Sequence, residues 1–285
     1  MVRKGLILGA VAAFGLAGAA IGQVTFTPVN LAPSSFNEDV VIENTATKPL
    51  VSSVTATMDN GEGKAPAAPN GDTWFESGLS IAKPNTGFPV GAGTVVSAAD
   101  PNTTFLLQPY SGKNVLLLNN HTVASGIATT KTGTFTLTTP TAAGALKFFG
   151  SSGNGAGTVT ALVHYNDGAP DTSLNLTFPD WFDSNPPKNQ AAIVSNGRVN
   201  PTNNTGAGSF DNFGQVPPNP RVYEITAVTL ANKTDPISSI DFTFTKAAGD
   251  TNTAIFGLST STAPEPASLG LLGLGCLALL RRRHA

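Results

Sequence analysis

In three segments between residues 133 and 178, namely 133–138, 158–165 and 173–178, apolar and polar residues alternate, and this period of two constrains the fold more than any other feature of the chain. Successive side chains of a strand point to opposite faces, so such alternation describes strands with one buried face and one wet face. Residues 133–138 set Phe135 and Leu137 on one face and threonines on the other. Residues 158–165 point Val159, Ala161, Val163 and Tyr165 inward. Asn166-Asp167-Gly168 is then a turn, and residues 173–178 align Leu174, Leu176 and Phe178. Residues 113–118 read as a mostly buried strand, and 145–149, 221–230, 237–245 and 254–259 add four more. No stretch of the body sustains a helical period. Eight or more strands at this spacing predict an all-β fold, an antiparallel two-sheet sandwich of jelly-roll type. Residues 23 to about 100 are less regular and are expected to add edge strands and loops or a small cap, with 64–71 a loop.

Composition supports a folded, exported domain. The 30 glycines and 21 prolines suit many turns, and 16 phenylalanines with many Val, Ile and Leu can build a core. Only 12% of residues are charged and the net charge is -2, which gives nucleic acid no purchase. The single cysteine, Cys276, lies in the apolar tail, so the body holds no disulfide and no thiolate metal site.

The two ends carry separate signals. Arg3 and Lys4 precede an apolar run over residues 5–21, and small residues at Ala20 and Gly22 precede Gln23. This reads as a secretory signal helix over residues 1–22, cleaved near Gly22 or after Ala19. At the other end Pro264-Glu265-Pro266 precedes an apolar run over 267–280, and Arg281, Arg282 and Arg283 follow it. Fourteen residues of helix reach about 21 Å, short of a bilayer core of about 30 Å. Snorkelling arginines and local thinning close the gap, and the basic cluster is expected to stay cytoplasmic. The organisation expected is a signal peptide (1–22), an extracellular β-sandwich domain (23–262) and a tail (263–285) with a transmembrane helix over 267–280.

The tail resembles the PEP-CTERM sorting signal, in which a Pro-Glu-Pro motif, a short transmembrane helix and a basic cluster occur in this order. The resemblance covers about the last 22 residues. It implies Gram-negative export, with Pro264, Glu265 and Pro266 recognised by an exosortase, a membrane-embedded cysteine transpeptidase. It also implies a place at the cell envelope or surface, with release into an exopolysaccharide matrix one outcome of processing. The body is similar in pattern to the galactose-binding-like jelly rolls attached to bacterial glycoside hydrolases. That similarity is carried by residues 72–75, the Tyr165-Asn166-Asp167-Gly168 turn, the run Leu176 to Phe182, and residues 221–225.

Chemistry is sparse. His121 and His164 are the only histidines of the body, and no nucleophile elbow is present. The glycines of 153–157 precede a strand and not a helix, so they read as a turn and not as a phosphate loop. Asp180 and Asp183 flank Trp181 and Phe182; such a pair could serve a glycosidase or hold calcium. The loop Asp59-Asn60-Gly61-Glu62-Gly63 is a second oxygen-rich segment without the full calcium pattern. No other cofactor or metal is indicated. Trp74, Tyr110, Trp181 and Tyr223 are the rings that could stack on a sugar, or else core aromatics. The residues therefore favour a non-catalytic surface protein that binds extracellular glycan or is structural, with a polysaccharide hydrolase as the alternative.

The tail generates a direct test. Glu265 is the one side-chain carboxylate of residues 263–285, and the prolines hold the backbone around it extended. Glu265→Ala should leave export intact and block processing. Neutralising the arginines should impair retention instead, since each costs about 2.5–3.5 kcal/mol at the bilayer centre. The mass of the mature protein from its own cells reads both; a wild-type chain still ending at Ala285 refutes processing.

Overall fold

The computed structural model describes residues 24–47, 50–60, 71–79, 87–120, 129–183, 187, 190–201, 209–211, 218–245 and 251–262. The signal segment 1–22 and the tail lie outside the described residues, and with them Pro264, Glu265, Pro266, the 267–280 run and Arg281 to Arg283. Among the described residues no helix is long and apolar enough to cross a membrane. The protein is all-β, with two short 3-10 turns at Pro33–Ser35 and Leu50–Ser53.

Five short strands come first: β1 (Phe26–Pro28), β2 (Val41–Ile42), β3 (Trp74–Phe75), β4 (Gly93–Val96) and β5 (Thr104–Leu107). The longer run is β6 (Leu116–Asn119), β7 (Thr132–Thr141), β8 (Ala145–Gly153), β9 (Gly157–Tyr165) and β10 (Thr172–Phe178). After β11 (Ala191–Val194), β12 (Arg198–Asn200) and β13 (Ser209–Asp211) come β14 (Arg221–Thr229), β15 (Ile237–Phe244) and β16 (Asn252–Ser261). Every segment read as a strand between residues 113 and 259 contains one, with ends shifted by up to four residues.

Their pairing is nested. β6 pairs with β16, β7 with β15, β8 with β14 and β9 with β10, all antiparallel. This is one long antiparallel ribbon folded at the β9–β10 turn. Rolling it up adds the pairs β8–β16 and β9–β15. The result is a six-stranded sheet, β1/β6–β16–β8–β14–β11, against a four-stranded sheet, β10–β9–β15–β7. Two sheets that interleave the strands of one rolled ribbon in this way make a jelly roll.

Burial follows from the residues. β9 and β10 bury every second residue, and Phe135, Leu137, Val159, Ala161, Val163, Leu174, Leu176 and Phe178 all enter the sandwich core. β8 and β16 read differently, because all their residues are buried. Leu146, Phe148, Ile255 and Leu258 face the four-stranded sheet, whereas Phe149, Ala254 and Phe256 face a second core. Ile255 and Leu258 differ in parity yet share a face, because a bulge between Ile255 and Gly257 resets the alternation. Gly150 leaves room for this packing: a Cβ there would lie 2.5 Å from the Ala254 carbonyl oxygen and 2.8 Å from the Phe178 ring.

The irregular N-terminal third covers the second face of the six-stranded sheet. Val40, Val41, Met58, Trp74, Phe88, Phe105 and Leu107 supply its side of that core. A buried cation ties the layers together. Lys147 on β8 donates to Glu224 Oε1 on β14 at 2.6 Å, and to Asp100 Oδ2 and Thr103 Oγ1 of the N-terminal layer at 2.8 Å each. All three ammonium protons thus have acceptors, and the Phe26 ring centroid lies 4.6 Å away.

Removing the cation should separate the layers. Lys147→Ala leaves the Glu224 carboxylate buried without its partner, which costs about 3–5 kcal/mol for a broken buried pair. Denaturant midpoints read this loss, and Lys147→Ala combined with Glu224→Gln should recover part of it. Lys147 also holds the Asp100 carboxyl well below the usual carboxylate range. A lowered folded-state value means the contribution is complete above the unfolded pKa near 4 and fades as pH falls below it. Acid sensitivity in that window should diminish in Asp100→Asn.

Candidate functional site

The aromatic residues that could have stacked on sugar are inside the molecule. Trp74 and Trp181 pack edge to face with ring centroids 5.0 Å apart, and Trp74 meets Phe88 at 4.8 Å. Tyr110 joins the same core and donates its hydroxyl to the Pro89 carbonyl at 3.1 Å. Burial pushes its phenol up from the ordinary range. Tyr223 lies in the sandwich core and donates to the Asp180 carbonyl at 3.1 Å. Trp74 and Tyr223 are wholly inaccessible and Trp181 and Tyr110 are within a few per cent of it, so none presents a ring face to a ligand. A three-layer protein needs two aromatic cores, and these rings fill them.

Asp180, Phe182 and Asp183 are half-buried, and Phe182 packs against the edge of the second core. The segment after β10 is strung between two strands of the six-stranded sheet. Trp181 N–H donates to the Ser152 carbonyl on β8 at 2.6 Å, and Arg221 N–H on β14 donates to the Trp181 carbonyl at 2.8 Å. The Trp181 ring is thereby driven into the core, while its neighbours point out. Asp180 Oδ1 accepts the Phe182 N–H at 2.7 Å, and Oδ2 accepts the Gly155 N–H of the β8–β9 turn. The Asp183 carbonyl accepts from Arg221 Nη1 at 3.2 Å and Asn219 Nδ2 at 3.4 Å.

These residues line an open depression of about 530 Å³, bounded also by Ala156, Thr177, Pro179 and Pro187. Phe182 forms part of its wall, with the Arg198 guanidinium 4.5 Å from the ring centroid. Arg198 is held in turn by Asp72, 2.7 Å from Nε, and by Asp59, 3.6 Å from Nη1. Phe182 is the half-buried ring that the sequence reading passed over. It sat beside Trp181, and alternation within such a short irregular segment does not say which of two adjacent rings turns inward. Arg198 carried no signal, because its carboxylate partners lie more than a hundred residues upstream.

Both Asp180 side-chain oxygens accept backbone N–H groups, so the depression offers acceptor oxygens already fixed in place. Among the described residues no group of three or more His, Cys, Asp and Glu is arranged to hold a metal ion. Asp59 faces Arg198, Asn60 N–H donates to Thr57 Oγ1 at 3.2 Å, and residues 61–63 lie outside the described residues. On the far sheet His164 lies between Asp171 and Asp241, 3.0 Å from each, with partners that the sequence did not reveal. No nucleophile accompanies it among the described residues: Ser238 Oγ donates to the His164 carbonyl and Thr134 Oγ1 to Asp241, not to the imidazole.

Comparison with known proteins adds the following. A family model described as the PEP-CTERM protein-sorting motif matches residues 262–283. No curated protein matches the chain. Among solved structures, a family 29 carbohydrate binding module is 11% identical over 60% of this chain and 88% of its own, with a TM-score of 0.25. A variant of a family 29 module studied for ligand recognition is 14% identical over 69% of this chain and 97% of its own, also at 0.25. Likeness at this level is too slight to support a conclusion about fold or ligand.

Adjacent aromatics with different burial give a paired test. Trp181→Ala should cost about 3–5 kcal/mol by emptying a core site, read as a lower denaturant midpoint. Phe182→Ala, which removes a ring only half-buried at the edge of that core, should lower the midpoint clearly less. Equal losses at both positions would contradict the difference in burial between the two rings.

Proposed function

We propose that this exported, cell-envelope protein, delivered by its PEP-CTERM signal, is a non-catalytic jelly roll that holds extracellular polysaccharide at the Asp180–Phe182–Asp183 depression. The observation that carries this reading is Phe182. It is an aromatic wall beside two carboxylates, in a cleft open enough to admit a chain rather than enclose a small molecule. A ring meets the CH face of a sugar, and fixed carboxylate and backbone oxygens accept its hydroxyl protons. The Asp180 carboxylate is already positioned by two N–H donors, so little ordering remains to be done on binding. An exosortase then acts on the tail, and the processed body is released into the matrix or kept at the surface.

Affinity electrophoresis of the purified protein through the host's own exopolysaccharide tests the reading. Wild type should be retarded, and Phe182→Ala should migrate as in a gel without polysaccharide while still unfolding cooperatively. Equal retardation of the two proteins, or none for either, refutes binding at this depression. Reducing sugar released during incubation would favour the hydrolase instead.

A further inference from the structure

Both ends of the described body leave the fold at the same place. β1 pairs with the end of β16, with Phe26 opposite Ser261. Ala145 at the start of β8 lies opposite Ser261 on its other side, and Gly144 N–H donates to the Ser261 carbonyl at 2.8 Å. Leu230 N–H donates to the Gly144 carbonyl at 3.0 Å, which brings the 231–235 turn to the same end. The residue exposed by signal cleavage, Gln23, comes three positions before Phe26, and the sorting motif starts three positions after Ser261. From Ser261 to Ala267, where the apolar run begins, the chain can span only about 20 Å even when fully extended.

The depression is at the other end. β8 runs from Ala145 to Gly153, a length of about 27 Å at roughly 3.4 Å per residue. Beyond it the β8–β9 turn supplies Gly155, which donates to Asp180, and Ala156, which lines the depression.

We propose that this topology orients the body on the cell: the end formed by the start of β1, the β7–β8 turn and the end of β16 is apposed to the bilayer, and the Asp180–Phe182 depression is presented outward. The occupant of the apposed end is the lipid surface. The chain outside the structure there is a 23-residue tail whose apolar run ends in three arginines, and the signal segment departs from the same end. With only about 20 Å of chain available between Ser261 and the apolar run, the connection is too short to be a slack tether. The outward placement of the binding site rests on the polysaccharide reading above; the apposition rests on the tail being held in the membrane, and so describes the chain before an exosortase acts on it.

Full-length chain carrying Cys276→Ser provides the test. Ala142 on the β7–β8 turn and Ala156 are both exposed and can be replaced singly by cysteine and labelled with a donor fluorophore. The chains are reconstituted into phosphatidylethanolamine–phosphatidylglycerol vesicles with acceptor dye on a fraction of the headgroups. Energy transfer should be larger from position 142 than from position 156, and vesicle flotation should carry the protein. A second pair, Lys233→Cys and Thr132→Cys, repeats the measurement on other elements and should rank the same way. Equal transfer means a body lying flat, and larger transfer from 156 means an inverted one; either overturns the proposal. A chain that does not float overturns it as well, because the tail then holds no membrane. No polysaccharide is present in this measurement, so its outcome and that of the electrophoresis are read separately.

Discussion

Everything in this protein is arranged around β16. It pairs with β8 along one edge and with β1 and β6 along the other, and all ten of its residues are buried. One of its faces closes the jelly-roll core through Ile255 and Leu258, and its other face receives the N-terminal layer through Ala254 and Phe256. It is also the last strand among the described residues, so neither core can be completed until the C-terminal end of the body is in place.

Lys147 shows how two layers of different character are held in register. Hydrophobic burial has no direction, and a loosely ordered cover could slide over a sheet at little cost. A buried ammonium with three defined acceptors on two layers cannot slide, because any shift leaves a charge unsolvated. A second polar anchor works in the same way. Glu76 accepts the Asn44 N–H at 2.7 Å and the Gly91 N–H at 2.6 Å, fixing two loops of the N-terminal layer. Such pins matter in a body that has no disulfide to lock it.

The depression is a by-product of the same construction. The segment from Pro179 to Asp183 bridges β8 and β14 by backbone hydrogen bonds, and its one large ring that turns inward, Trp181, meets Trp74 of the covering layer. Turning Trp181 in leaves Asp180, Phe182 and Asp183 to line the depression, at the end of the sandwich away from Phe26 and Ser261. The lining of the depression and the packing of the core thus come from neighbouring residues of a single short segment.

The eight strands of the jelly roll were legible in the sequence, because alternation at Phe135, Leu137, Val159 to Tyr165 and Leu174 to Phe178 reports local geometry and needs no partner. The sorting tail was legible for a similar reason: its motif, apolar run and arginines are contiguous, and each acts where it stands. What the tertiary structure alone decided is what covers each face. The unbroken apolar character of Leu116-Leu117-Leu118 and Phe148-Phe149 announces two-sided burial but does not say that residues 40–110 supply the second side. Trp74, Tyr110, Trp181 and Tyr223 look alike as core or as binding residues, since an aromatic ring serves both. The acceptors of Lys147, the carboxylates beside His164 and the partial exposure of Phe182 depend on contacts between distant parts of the chain. A sequence records the period of a strand directly, whereas those contacts exist only once the ribbon has rolled up and its cover has closed.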